Sequence, residues 1–282
     1  MRNIALRIAY DGTDFVGSQW QRNGRSVQGT LEAAWEQFTQ EQRRFAFSGR
    51  TDSGVHAQGQ VVNVYTEAKH SPHVIHRALN ALVPPDMAIH AAWEVDELFH
   101  ARHQAVWRWY RYLIDDQSVP LPMLRNYVLH VGEPLDINAM QTALAALPGY
   151  HDFAGFTKQS ERTKPTQRFC YGAACSLQTL FGRSLIAIDL VANAFLRHMV
   201  RMIVGAVILV GRGQLATTAL SDALAGKGET TSPVGTTAAP HGLTLMAVGY
   251  REVLLPHFVQ NKQWPSGIER GKHPTTLSSS SW

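Results

Sequence analysis

A chain of 282 residues, 45% of them apolar, is long enough to bury a substantial core, as two ordinary domains or one large one. Lys and Arg outnumber Asp and Glu by 26 to 22, a formal charge of +4 that gives a mild attraction to polyanions and falls well short of a basic tail. Two cysteines exclude a disulfide framework, and the longest apolar run, 202–210, is too short to cross a bilayer; with a strand-like segment after Met1 in place of an apolar signal region, the expected location is cytoplasmic, with no membrane partner.

In chain order, residues 4–10 read as a strand and 26–38 as a helix, with Val27, Leu31, Ala34, Trp35 and Phe38 on one face and Ser26 as cap. Strands at 44–47 and 61–65 flank a polar loop. Ser71 and Pro72 open a helix with Val74, Ala78, Leu79 and Leu82 on its buried side, and Val83-Pro84-Pro85-Asp86 stops it. Strands follow at 89–95 and 105–114, and Asp115 to Pro122 reads as a link near the middle of the chain. The second half again alternates helix and strand, with a helix over 136–147, strands at 169–177 and 185–191, helices over 193–210 and 218–225, and a last strand at 243–250. The spacing predicts an α+β fold with an N-terminal domain over 1–104, a C-terminal domain over 105–250 and a disordered tail over 251–282, where a Ser278–Ser281 run and scattered Pro and Gly replace any apolar period. If 168–177 is a strand, Cys170 and Cys175 lie an odd number of residues apart, point to opposite faces and are free thiols.

The loop from Ser48 to Ala57 packs Arg50, Asp52, Thr51, Ser53 and His56 between apolar runs, and Gly49 and Gly54 permit the sharp path that lets it project an acid from a sheet. Its Gly-x-x-x-x-Gly spacing is not a phosphate-binding loop, because Val55-His56 stand where Lys and then Ser or Thr are needed. Zinc-dependent base deamination is disfavoured by the lack of a Pro-Cys-x-x-Cys signature. His73 and His76 share a helix face without a third ligand, so no metal is expected. The glycines at 211 and 213 echo a dinucleotide fingerprint but follow a helix instead of a strand. Arginines at 22, 25, 43, 44, 108, 111, 162, 168, 197 and 201, with Lys164, interleave with Trp20, Trp107, Trp109 and Tyr110, as ligands for phosphates and bases do.

Arg50-Thr51-Asp52-Ser53-Gly54-Val55-His56-Ala57 closely resembles the active-site motif of the tRNA pseudouridine synthases of the TruA type. Four further blocks resemble that family in order: Tyr10 to Phe15, Phe99 to Arg102 with Arg108 to Tyr112, Asn193 to Gly205, and Ala239 to Leu245. The resemblance implies a pseudouridine synthase fold, two similar α+β halves with mixed, mainly antiparallel sheets meeting at a central cleft. It further implies a homodimer acting on tRNA without a cofactor, at uridines 38, 39 and 40 of the anticodon stem-loop. Carried onto this chain, Asp52 is the catalytic nucleophile, and Tyr110 stacks on the uracil and helps remove the C5 proton. Arg201, a charge in a very apolar helix, pairs with Asp52, with Arg197 four residues away on the same face. Arg50, His56, Arg102 and Arg197 join Tyr110 in binding substrate. Three departures from the pattern are Ser53 in place of Ala, the Gly17-Ser18-Gln19-Trp20-Gln21 segment in place of a compact Gly-Trp-Gln, and the extension beyond 250. The competing reading is a non-catalytic RNA-binding module, which needs the arginines and aromatics but not Asp52, Tyr110 and Arg201 together. A glycosidase would require a second carboxylate, which the loop lacks.

Overall fold

The computed structural model describes residues 1–158, 160, 165–226 and 234–251, so the expected tail from 252 onward, Arg162 and Lys164 lie outside it. The chain runs β1 (Arg2–Tyr10), α1 (Val27–Thr39), β2 (Ala46–Phe47), β3 (His56–Thr66), α2 (Pro72–Leu82), β4 (Met87–Val95), β5 (Trp107–Asp115), β6 (Leu129–His130), α3 (Ile137–Leu144), β7 (Gly149–Asp152), β8 (Gln167–Leu180), β9 (Arg183–Ala192), α4 (Met199–Gly211), α5 (Ala219–Leu224) and β10 (Leu243–Gly249). The strands form one mixed sheet in the order β4-β1-β3-β10-β5-β9-β8-β7, with β2 beside β3 and β6 beside β5.

The last strand decides the architecture. β10 inserts between β3 and β5, parallel to the first and antiparallel to the second, so the sheet crosses the 104/105 division without a break. Leu245 pairs with Ala57 on one side and Tyr110 on the other. At roughly 4.8 Å per strand spacing, Tyr110 therefore stands about 10 Å across the sheet from the end of the Asp52 loop. The main core links this sheet to the buried faces of α1, α2, α3 and α4.

Local chemistry explains the helix ends. Ser26 accepts the Gly29 N–H at 3.1 Å to cap α1, and Ser71 caps α2 with Pro72 at the first helical position. In α2 the buried side is phased one residue later than expected: Ile75 and Leu79 are buried, whereas Val74 is 43% exposed. α4 begins at Met199, not at 193. Asn193 Oδ1 accepts the N–H groups of Phe169 (3.0 Å) and Ala194 (2.8 Å), which ties the segment to β8, and His198 takes a left-handed backbone (φ 63°) that an α-helix cannot include. Arg197 and Arg201 thus do not share a helix face: one lies in the loop, the other in the first turn.

The two cysteines are free. They do not point to opposite faces as an unbroken strand requires, because a bulge between Cys170 and Gly172 inserts a residue, and both side chains pack on the main core. Burial raises the Cys170 thiol to about 12 and Cys175 to about 11, so neither is a thiolate at neutral pH.

Close backbone approach sets one glycine in α4. A Cβ on Gly205 would sit 1.7 Å from the Thr236 carbonyl oxygen, beside the strand-like segment whose Ala238 N–H donates to the Arg201 carbonyl at 3.0 Å. Gly205→Ala gains helix propensity of about 1 kcal/mol, yet overpacking against backbone costs about 1–3 kcal/mol or more. The expected outcome is a lower melting temperature; an unchanged or raised one would contradict this packing.

Candidate active site

The Asp52 loop is clamped on both flanks, which leaves its tip the freest part. Ser48 N–H donates to Val61 O (2.9 Å), and Gln60 Nε2 donates to Gly49 O (2.8 Å). Thr51 N–H donates to Ser18 Oγ (2.8 Å), Ser18 N–H donates to Thr51 O (3.0 Å), and the Thr51 hydroxyl meets the Tyr10 hydroxyl at 2.8 Å. Burial pushes the Tyr10 phenol up to about 12, so it remains a neutral hydrogen-bond partner. Beyond the tip, Ser53 Oγ donates to Phe15 O (3.2 Å), and Gly54 takes φ 76° against Pro240. Gly12 carries no Cβ because one would lie 2.1 Å from Val55 O, which accounts for the glycine after Tyr10-Asp11. Ser18, at the departure from the compact Gly-Trp-Gln pattern, is buried and braces the loop, while Trp20 is 46% exposed with Arg44 over its ring.

The Asp52 carboxylate meets Arg201 from the first turn of α4, Nη1 donating to Oδ2 at 3.1 Å. Arg201 Nε donates to Ala238 O at 2.7 Å, so the guanidinium is aimed before it reaches the acid. Tyr110, 7% exposed on β5, packs edge-to-face with Phe195 (centroids 5.1 Å apart, 88°), and a Cβ on Gly49 would lie 3.9 Å from its hydroxyl. Burial, with the nearby Tyr10 and Asp52 adding to it, raises the Tyr110 phenol well above its ordinary value, so it is protonated at neutral pH. Asp52, Arg201 and Tyr110 therefore lie near one another.

The expected binding residues divide. Arg50, Arg102 and Arg197 are exposed, and Arg50 stands outside the Asp52 ion pair despite its nearness in sequence. His56 differs: it is 4% exposed, its Nδ1 accepts the Gly12 N–H (3.0 Å), and its Nε2 faces the carbonyls of Asn126 (2.9 Å) and His241 (3.1 Å). Two carbonyls at Nε2 require the proton there. Both ring nitrogens are engaged beneath the loop, so His56 braces it. Tyr127 completes this underside, donating to Asp11 Oδ2 at 2.5 Å.

One side chain of the site, His198, was not singled out in the sequence, and another, Arg108, was read there as a ligand for phosphates and bases but is placed as an internal tie. Arg108 is buried with no carboxylate partner among the described residues and donates to four carbonyls: Asn193 (2.5 Å) and Ala105 (3.2 Å) through Nη1, Ser48 (2.8 Å) and Arg102 (3.0 Å) through Nη2. It joins the start of the Asp52 loop to the start of the segment that leads into α4. His198 lies 3.5 Å from Asp52 Oδ2, and only the αL backbone, invisible in the residue pattern, turns it there. Among the described residues no group of three or more His, Cys, Asp or Glu converges as a metal site would, and no helix is long and apolar enough to cross a membrane.

A family model described as tRNA pseudouridine synthase matches residues 7–104 and 143–251. With the mixed sheet and its central acid, this defines an isomerase with the pseudouridine synthase fold. The tRNA pseudouridine synthase A of Roseiflexus castenholzii is 52% identical over 252 residues, covering 89% of this chain and 92% of that one. That of Chloroflexus aurantiacus is 48% identical over 276 residues, 98% of both chains, and that of Thermoanaerobacter sp. is 36% identical over 250 residues, 89% of this chain and 100% of that one. The chain belongs to the tRNA pseudouridine synthase family.

Arg201→Lys keeps the charge but cannot hold Ala238 O and Asp52 through separate nitrogens of one planar group. The expected result is a fall in turnover on the order of 10²-fold, since misplacement of a reacting group by about 1 Å can cost that much. Full turnover in this variant would show that the paired geometry is not needed.

Proposed function

We propose that the protein converts uridine to pseudouridine at positions 38, 39 and 40 of the tRNA anticodon stem-loop, working in the cytoplasm as a homodimer whose two subunits touch one tRNA. The observation that carries the catalytic part is the Asp52–Arg201 pair beside a buried tyrosine. The reaction breaks the bond from uracil N1 to ribose C1′, turns the retained base and joins C5 to C1′, with the C5 proton leaving and N1 taking up a proton in its place. It needs no redox partner and no outside atom.

Asp52 acts on the nucleoside either as a nucleophile or by stabilising a cationic sugar, as carboxylates do in glycoside hydrolysis. Arg201 holds that carboxylate in a fixed orientation. Tyr110 stacks on the uracil and assists departure of the C5 proton. Because burial keeps its phenol protonated, that assistance is a hydrogen bond or relay and not abstraction by a standing phenolate.

Extruding a base costs a few kcal/mol, and one aromatic stack of about 1–3 kcal/mol with an arginine contact to the backbone is of the size to offset it. Arg50, Arg102 and Arg197 are exposed guanidiniums suited to those phosphate contacts. Serving three neighbouring positions favours reading of tRNA shape over base sequence.

The test is pseudouridine mapping of tRNA from cells lacking the protein. The expected pattern is loss at 38, 39 and 40 alone, restored by the unaltered chain. Loss at other positions would overturn the assignment of the address. Unchanged tRNA together with retained tRNA binding would favour the non-catalytic module.

A further inference from the structure

His198 is placed at a cost that the fold does not require. It holds the N-cap position of α4 yet makes no side-chain cap, where Ser, Thr, Asp or Asn would satisfy an open N–H. Its backbone is left-handed, φ 63° and ψ 0°, a conformation that a side chain other than Gly adopts at a cost and that Gly or Asn accepts more readily. Its Nδ1 is buried with no hydrogen-bond partner among the described residues. In return the ring is turned toward the acid, with Nε2 3.5 Å from Asp52 Oδ2. That oxygen is the one Arg201 already holds at 3.1 Å, so both groups address Oδ2, on a side chain that is 30% exposed.

We infer that His198 is a positioning residue for Asp52, its Nε2–H closing on Oδ2 when the nucleotide fills the cleft so that Oδ1 alone faces the sugar; this rests on the reading of Asp52 as the group that acts on the nucleoside. At 3.5 Å the contact is longer than a hydrogen bond, as catalytic contacts often are before substrate is bound. The charged groups around the ring are Asp52, Arg201, Arg197 and Lys158. Burial, with the three cations adding to it against the pull of Asp52, lowers the ring's proton affinity, so a neutral imidazole with its proton on Nε2 is the form that faces the acid. A neutral donor orients the carboxylate without cancelling its charge.

Stability and rate should then run in opposite orders across three substitutions. His198→Gly and His198→Asn relax the left-handed backbone but carry no N–H as far out as Nε2, whereas His198→Gln reaches about as far and keeps the strain. In the full chain, melting temperatures are expected to rank Gly and Asn above the unaltered protein, with Gln near or below it. Single-turnover rates on unmodified tRNA are expected to rank His first, then Gln, then Asn and Gly together, with Gly down about 10–100-fold and tRNA Kd unchanged. Rates that follow melting temperature, or a His198→Gly variant as fast as the unaltered protein, would overturn the role. An unaltered protein that forms no pseudouridine would instead overturn the functional reading, and this role with it.

Discussion

The contact between Asp52 and Arg201 joins residues 149 positions apart, and the rest of the molecule is arranged so that they meet. A half-buried ion pair is not a source of stability in itself, because the desolvation of two charges roughly cancels their attraction. It persists because both partners are fixed beforehand. Ser18, Tyr10 and Gln60 clamp the acid's loop, and the Ala238 carbonyl aims the guanidinium. The insertion of β10 between β3 and β5 brings these supports onto one sheet. Had β10 paired at an outer edge, neither the segment carrying Ala238 nor α4 would reach the loop.

Charge in the site is distributed with a purpose that stability alone does not explain. Arg108 is buried with carbonyl oxygens as its hydrogen-bond partners, and desolvation lowers its pKa from the ordinary arginine value. Its fork ties the Asp52 loop to the segment before α4, so the two halves of the ion pair share a common anchor. Below, His56 links Gly12, Asn126 and His241 under the same loop. The tip is thus held from beneath and both sides while 30% of the Asp52 side chain stays exposed. That combination suits an acid that must meet a bulky, charged substrate in a fixed direction.

Much of this was legible in the residues. The Ser26 and Ser71-Pro72 caps, the apolar face of α1 and most strand cores follow from local periodicity and capping, which short-range physics determines. The grouping of Asp52, Tyr110 and Arg201, proposed as the catalytic residues, was legible only through motif resemblance, since they come from three distant segments that periodicity cannot connect. What escaped has a common cause in tertiary geometry. The apolar residues after 193 satisfy a helical period, yet Asn193's ties to β8 and the left-handed His198 delay the helix to Met199. The Cys170 bulge inverts a face that strict alternation assigns. Val74 and Ile75 are equally apolar, and only the docking of α2 on the sheet chooses between them. His56 was expected among the substrate-binding residues by resemblance, and its burial beneath the loop is set by chain segments far away.

The measurement that bears most directly on the central role of Asp52 pairs catalysis with binding in Asp52→Asn, which preserves volume and removes the charge. Tritium release from C5-labelled uridine in tRNA is expected to fall on the order of 10⁴-fold, as loss of an essential nucleophile does, while filter binding at fixed salt is unchanged or tighter because affinity rests on cation contacts to phosphate. Release that survives in Asp52→Asn at the unaltered rate would contradict the account.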